Sequence, residues 1–241
     1  MKFINATEIS RTKYWRVLLY GKPGLGKTST IKELPGKTLV LSLDNSHKVL
    51  SGVPNVRIRT IDDEGQMSFD RDKPIEDINL FLKEIGGELK NFDNLAFDNV
   101  TSFQSDWLIE RGRNSKGGIR NEIQDYGDWT NYFLRIMTKI YSLPINVYVT
   151  AWEDTQDISL EDGSVITQFV PKIRKQVLSE LLGWTDVVGR IKVNPKTGNR
   201  GAILEGNDGV YAKNRIDSRT ACSITDLFKF EDLNEKKKTE N

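Results

Sequence analysis

Eight residues that follow a short apolar run constrain the fold of this chain more than any other feature. Gly21 to Thr28 reads GKPGLGKT and matches the pattern GxxxxGK[ST] at every fixed position. The chemistry of that pattern requires a buried strand before the loop and a helix after it. Arg16 to Tyr20 (RVLLY) fits the strand, and a short helix ended by Pro35 and Gly36 fits the other side. The sequence therefore predicts a strand, a phosphate-binding loop and a helix in this order.

The residues of this loop have separate roles in holding phosphate. Gly21, Gly24 and Gly26 let successive backbone N–H groups converge on phosphate oxygens. Lys27 places a positive charge on the terminal phosphates, and the Thr28 hydroxyl is suited to ligate Mg²⁺. The predicted cofactor-binding residues of the loop are Gly21, Lys22, Pro23, Gly24, Leu25, Gly26, Lys27, Thr28 and Ser29. The loop thus predicts a bound nucleotide accompanied by Mg²⁺.

Apolar runs and helical periodicity alternate through the first two thirds of the chain. Three further strands are predicted at Thr38 to Leu43, Leu95 to Asp98 and Ile145 to Thr150. Apolar residues recur at helical spacing from Pro74 to Leu89 and from Trp129 to Leu143. This alternation is typical of an α/β fold with a mainly parallel central sheet flanked by helices.

The last third of the chain has a different pattern. Asp157 to Phe169 predicts a hairpin, and Ile173 to Leu181 predicts a helix ended by Gly183. The apolar segments after residue 186 predict antiparallel strands added to the sheet near the C-terminus. Since no good linker divides the chain, we expect one domain over residues 1–230, followed by a charged, disordered tail at 231–241.

Composition excludes several classes of protein. Thirty-five Lys and Arg residues against 34 Asp and Glu residues leave a net charge of +1, which argues against a protein that coats nucleic acid with its whole surface. A single cysteine and a single histidine rule out an intramolecular disulfide and a Cys/His zinc site. A nucleophilic Cys222–His47 pair stays formally open, although a lone cysteine is more often a core residue. Without a membrane-length apolar stretch or a signal peptide, the expected location is the cytoplasm.

Three of the predicted strands end in polar residues that belong at the same edge of the sheet as the loop. Asp98 is the predicted second metal residue beside Thr28, and the alternative is a plain strand-ending Asp-Asn turn. Asp44 and Glu153 are the available carboxylates for orienting an attacking water, and Asp44 is preferred. Thr150 is predicted to contact the terminal phosphate, or else only to pack.

These motifs resemble the RecA-like branch of P-loop ATPases, and most closely the small phage nucleotide-binding proteins that consist of little more than a RecA-type core. The resemblance rests on GKPGLGKT, LAFDN, INVYVTAWE and VYAKNR, which together span about residues 17 to 215. It implies a RecA-like P-loop NTPase fold and ATP as the nucleotide. The catalytic glutamate that such proteins carry after the second strand has no obvious counterpart, because SLDNSHKVL contains only Asp44 as an acidic residue.

The resemblance also implies assembly and contact with DNA. Lys213 and Arg215 look like the finger with which one subunit of a homo-oligomer reaches the terminal phosphate held by its neighbour, and an exposed basic pair is the alternative. The region from residue 111 to 126 corresponds to a loop that faces single-stranded DNA. Its predicted DNA-binding residues are Arg111, Arg113, Lys116 and Arg120. The alternative is a solvated loop whose neighbouring aromatic residues, Trp107, Tyr126 and Trp129, belong to the core.

The sequence thus predicts an ATP-binding protein, and an ATPase dependent on Mg²⁺ that acts on single-stranded DNA in phage recombination or replication. Two alternatives stay open: a nucleotide-dependent switch or loader that acts on a protein partner, and a small-molecule P-loop kinase.

Overall fold

The computed structural model describes residues 1–230, and the predicted tail at 231–241 lies outside the described residues. The strands are β1 (Arg16–Tyr20), β2 (Thr38–Ser42), β3 (Val56–Ile58), β4 (Asn94–Asp98), β5 (Asn146–Ala151), β6 (Glu153–Ser159), β7 (Val165–Pro171), β8 (Val187–Val193), β9 (Arg200–Ile203), β10 (Lys213–Asn214) and β11 (Ala221–Ser223). The α-helices are α1 (Pro74–Glu88), α2 (Val100–Arg113), α3 (Ile123–Tyr141) and α4 (Lys175–Trp184).

Six parallel strands form the centre of the sheet, in the order β3-β2-β4-β5-β1-β8. Strand β9 continues the sheet antiparallel to β8, β11 pairs antiparallel with β9, and the short β10 pairs antiparallel with β8. The carboxyl ends of the parallel strands share one edge, which is where such sheets bind ligands. The predicted α/β fold, with a mainly parallel sheet flanked by helices and antiparallel strands near the C-terminus, is confirmed.

Alternation along the strands divides the core into two layers. In β1, Leu18 and Tyr20 face the layer that contains the four α-helices, whereas Val17 and Leu19 face the opposite layer. The period of two follows from strand geometry, in which successive side chains point to opposite faces. The opposite layer is completed by short 3₁₀ segments and by the chain around Leu227. Burial on both faces explains why the central strands read as continuous apolar runs.

The prediction of an antiparallel strand was wrong for β8. It pairs in parallel with β1, Val17 lying opposite Val187 and Tyr20 opposite Arg190. The reason is that helix α4 returns the chain to the end of the sheet at which the parallel strands begin, as in any strand–helix–strand crossover. Antiparallel pairing begins only after the turn at residues 194–199.

Four local features also differ from expectation. The helix after the glycine-rich loop is a single 3₁₀ segment, Ser29–Glu33, because the chain turns at Leu34 before Pro35. Helix α4 continues through Gly183 to Trp184. The three-residue strand β3 was not predicted, and the hairpin β6–β7 forms a separate two-stranded sheet. None of the helices in residues 1–230 has an apolar stretch long enough to span a membrane.

Candidate functional site

The glycine-rich loop connects the carboxyl end of β1 to the 3₁₀ segment, and its backbone shape depends on glycine at three positions. Gly24 has φ +80° and Gly26 has φ +93°, conformations that side chains disfavour. A Cβ at Gly21 would lie 2.4 Å from Cγ2 of Ile191, so β8 packs directly against the start of the loop. On the side of the loop that faces the sheet, the Tyr148 hydroxyl of β5 donates to the carbonyl of Lys27 at 2.9 Å. The loop is therefore held from the sheet side while its other side stays open.

Lys27 is buried at the centre of this loop. Its Nζ donates to the carbonyl oxygens of Gly21 at 2.9 Å and Lys22 at 3.0 Å. Burial lowers the pKa of Lys27, while the nearby carboxylates of Asp98 and Asp44 act to raise it. A positive charge held with little water around it interacts strongly with an anion that enters the loop.

Asp98 ends β4 opposite the loop and is the centre of a hydrogen-bond network. The Thr28 hydroxyl donates to one carboxylate oxygen at 2.7 Å, and the Thr150 hydroxyl donates to the other. Burial, and next the charge of Asp44, raise the pKa of Asp98 to about 6, although Thr150, Thr28 and Lys27 act to lower it. Asp98 and Thr28 thus place two oxygen donors side by side, and these are the two residues predicted to hold a metal ion.

Thr150 is the penultimate residue of β5 and lies beside Asp98, and its predicted contact with the terminal phosphate stays a prediction. Its side chain is fully buried, and its hydroxyl is engaged by Asp98. The structure therefore places Thr150 against Asp98, where its hydroxyl orients the carboxylate.

Asp44 follows β2 and faces the same cleft. One of its carboxylate oxygens accepts a hydrogen bond from Asn99 Nδ2 at 2.6 Å, and the other accepts one from the backbone N–H of Ser46 at 3.0 Å. Asn99 is itself fixed as the N-cap of α2, where it accepts from the Ser102 N–H at 2.8 Å. The neighbour of Asp98 thereby holds the predicted catalytic carboxylate in place.

A cleft of about 350 Å³ brings these groups together. Its lining includes Lys27, Thr28, Asp44, Asp98, Asn99 and Trp152. Sequence reasoning assigned no role to Trp152, although its place directly after β5 was a usable signal. Its backbone N–H donates to the Thr101 hydroxyl at 2.9 Å, which ties the wall of the cleft to the start of α2.

Glu153, the second candidate for the catalytic carboxylate, is already engaged. It accepts from Arg190 Nε at 2.6 Å, and the two side chains are only 5% and 8% exposed. The Arg190 guanidinium also lies over the ring of Phe169, with Cζ 3.5 Å from the ring centroid. This pair connects β8 to the hairpin β6–β7, and of the two candidates for the catalytic carboxylate only Asp44 lines the cleft.

The donor set fits a nucleotide with Mg²⁺. Backbone N–H groups and Lys27 suit phosphate oxygens, and the hydroxyl of Thr28 with the carboxylate of Asp98 suits Mg²⁺, which usually retains waters and takes few protein ligands. Within residues 1–230, no group of three His, Cys, Asp or Glu side chains is placed to hold a metal ion by itself. The metal predicted here would therefore share its ligands between protein, phosphate and water.

The structure places Lys213 and Arg215 at the opposite end of the sheet. Lys213 pairs with Val188 near the amino end of β8, and both cationic side chains donate to the carbonyl of Gly183, at 3.2 and 2.9 Å. There they complement the carboxyl end of α4. They reach no group of the cleft in their own chain, and contact with a neighbouring copy stays a prediction.

Two of the four predicted DNA-binding cations lie on helix α2 rather than in a loop, and both are paired. Arg111 bonds Asp125 at 3.0 Å and Asp128 at 2.9 Å, and Arg113 bonds Asp72 at 2.8 Å. The other two cations, Lys116 and Arg120, are exposed and have no ion pair or side-chain hydrogen bond within residues 1–230.

The aromatic residues near this loop divide into core and surface. Trp107 and Trp129 are buried in the aromatic core, so they are not available to stack on bases, whereas Tyr126 is 37% exposed.

Replacing Asp98 with asparagine is expected to stabilise the fold while it weakens nucleotide binding. Because the pKa of Asp98 rises from 3.8 to about 6 on folding, stability falls as pH rises through that window. At pH 7.5 the free energy of unfolding of Asp98→Asn should exceed that of the wild type by on the order of 1 to 3 kcal/mol. Urea unfolding at pH 7.5 and pH 4 measures this, and the difference should shrink at pH 4. A variant less stable than the wild type at pH 7.5 contradicts it.

One family model matches most of the chain. It is described as an AAA domain and covers residues 13–216, from just before β1 to just after β10. No curated protein matches the sequence.

Proposed function

The chain belongs to the AAA domain family, and we propose that it is a Mg²⁺-dependent ATPase of the RecA-core type that acts on single-stranded DNA in phage recombination or replication. The observation that carries this proposal is the convergence of Lys27, Thr28, Asp98 and Asp44 on one cleft. The AAA domain supports the nucleotide-binding ATPase part of it. DNA, assembly and the biological process rest on the resemblance described above.

Each residue of the cleft has a role in the proposed reaction. Lys27 and the loop N–H groups bind the phosphates and offset the charge that phosphoryl transfer develops. Mg²⁺, when bound, neutralises phosphate oxygens. Thr28 and Asp98 hold it, and Thr150 keeps the Asp98 carboxylate oriented. Asp44, fixed by Asn99, is the group that orients the attacking water.

The proposed DNA contact is reduced to a smaller set of charges than the sequence alone indicated. Lys116 and Arg120 lie in the segment between α2 and α3, which contains Gly117 and Gly118. Exposed cations on such a segment suit a phosphate backbone. Tyr126 is a partly exposed aromatic residue of the region, and the Arg174 guanidinium lies over its ring, so one face at most is available to stack on a base. The exposed hairpin β6–β7 carries Asp154, Asp157, Glu161 and Asp162, so it is a poor surface for DNA.

ATP turnover measured with and without single-stranded DNA tests the proposal. We expect stimulation by DNA, and binding to DNA that weakens steeply with salt. In Lys116→Ala/Arg120→Ala, the salt slope should become shallower by about 1.4, since each phosphate contact on a single strand contributes about 0.7. The matched control, Lys83→Ala/Lys139→Ala, removes two exposed helix cations and should keep the wild-type slope. Turnover without any response to DNA favours the nucleotide-dependent switch that acts on a protein partner.

A further inference from the structure

A second cleft, of about 510 Å³, lies on the other side of the glycine-rich loop. It shares Gly26 and Ser29 with the first cleft. Its remaining walls come from three parts of the chain: the 3₁₀ segment after the loop, the end of the β8–β9 turn with the start of β9, and the end of β11 with the two residues that follow it. Asp44 and Asp98, the two acidic residues that line the first cleft, do not line the second.

Arg200 lines one wall of this second cleft. A Cβ at Gly26 would lie 3.3 Å from its Nε and 3.4 Å from its Cζ, so the guanidinium lies directly against the loop backbone. The side chain belongs to the first residue of β9 and is exposed. It has no ion pair, hydrogen bond or ring contact within residues 1–230. A planar cation thus lies against the phosphate-binding loop, and the described residues engage none of its donors.

The arrangement of the two clefts gives the nucleotide a direction. The metal ligands, and the carboxylate proposed to act on water, line only the first cleft, so the terminal phosphates belong there. A nucleotide held in that orientation leaves the loop at Ser29 and enters the second cleft with its nucleoside. There it meets the guanidinium of Arg200, the apolar side chain of Ile224 and the hydroxyls of Ser223 and Thr225. A guanidinium plane suits an aromatic base, and hydroxyls suit a ribose.

We propose that the second cleft is the nucleoside subsite and that Arg200 holds the base by stacking on it. This inference rests on the proposed function, because it takes the phosphates as bound in the first cleft. Among the described residues that line the subsite, the one buried polar side chain is Thr30, and its hydroxyl already donates to the carbonyl of Gly26. The contribution of the subsite is therefore affinity for the nucleoside rather than a choice between bases.

Titration calorimetry of Arg200→Ala with two ligands tests the inference. ATP carries both the nucleoside and the phosphates, whereas inorganic tripolyphosphate carries the phosphates alone. We expect the variant to bind ATP about fivefold more weakly and tripolyphosphate as the wild type does, since a cation on an aromatic face contributes on the order of 1 kcal/mol. Arg200→Lys keeps the charge without the plane and should lose most of the same affinity for ATP. Lys196→Ala, which removes an exposed cation from the same turn, should bind both ligands normally.

Two results would overturn the inference while the proposed function stands. Equal losses for ATP and tripolyphosphate would make Arg200 a phosphate ligand, and unchanged ATP affinity would remove it from the site. If the wild type binds neither ligand, the proposed function fails, and the nucleoside subsite fails with it.

Discussion

Lys27→Ala is expected to lower ATP turnover by at least about a hundredfold and to weaken ATP binding clearly. The Nζ of Lys27 is buried in the loop and, among the described residues that line the first cleft, is the only side-chain cation. Its charge therefore acts on phosphate oxygens with little screening by water. Steady-state phosphate release at saturating ATP measures the turnover.

Folding of this variant is not expected to suffer. Burial lowers the pKa of Lys27, which means that the folded chain holds this charge at a cost that the alanine variant avoids. Thermal unfolding should therefore occur at the wild-type temperature or slightly above it. Lys83→Ala, which removes an exposed cation from α1, is the control and should keep normal turnover. If Lys27→Ala keeps turnover within twofold of the wild type, the loop is not the catalytic phosphate site.

Glu153→Gln is expected to have the largest effect on stability, a loss of about 3 to 5 kcal/mol in the free energy of unfolding. The substitution keeps the size of the side chain but leaves the buried Arg190 guanidinium without a counter-charge. An uncompensated buried charge is expensive, whereas the pair itself contributes little relative to apolar residues of the same volume. Urea unfolding measures the loss as a lower midpoint with an unchanged slope.

The double variant Glu153→Gln/Arg190→Met is the control. It removes the buried cation together with its partner, so it should recover most of the stability lost in Glu153→Gln. Measuring both the stability and the ATP turnover of these two variants separates a packing role of Glu153 from a catalytic one. A Glu153→Gln protein with the stability of the wild type and no ATP turnover would show that Glu153 is the catalytic carboxylate and that the assignment to Asp44 is wrong.

Most of the parallel sheet was predictable because its strands are buried on both faces. Runs such as RVLLY and TLVLS have no polar face, and the helices between them show clear periodicity. The three residues of β3 are too few to form such a run. The direction of β8 was not predictable from its own residues, since it depends on the crossover through α4, and the turn at 194–199 pointed to antiparallel pairing.

The site was predictable where its chemistry lies within one continuous segment. The sequence GKPGLGKT carries both its spacing and its backbone requirements, and Asp98 and Asp44 follow from their places after apolar strands. Contacts between segments that are far apart in the sequence could not be predicted. The pairing of Glu153 with Arg190, the bond from Thr150 to Asp98 and the approach of Arg200 to Gly26 all depend on how the sheet is ordered.

Titration calorimetry of the wild-type protein with ATP, in Mg²⁺ and again in EDTA, tests the nucleotide site most directly. Saturable binding of a single ATP per chain is expected, with weaker binding in EDTA because Thr28 and Asp98 then lack the ion that joins them to the phosphates. The Lys27→Ala protein should release little or no heat under the same conditions. Absence of ATP binding by the wild type at millimolar ATP, or equal binding by Lys27→Ala, would contradict a nucleotide site in this cleft.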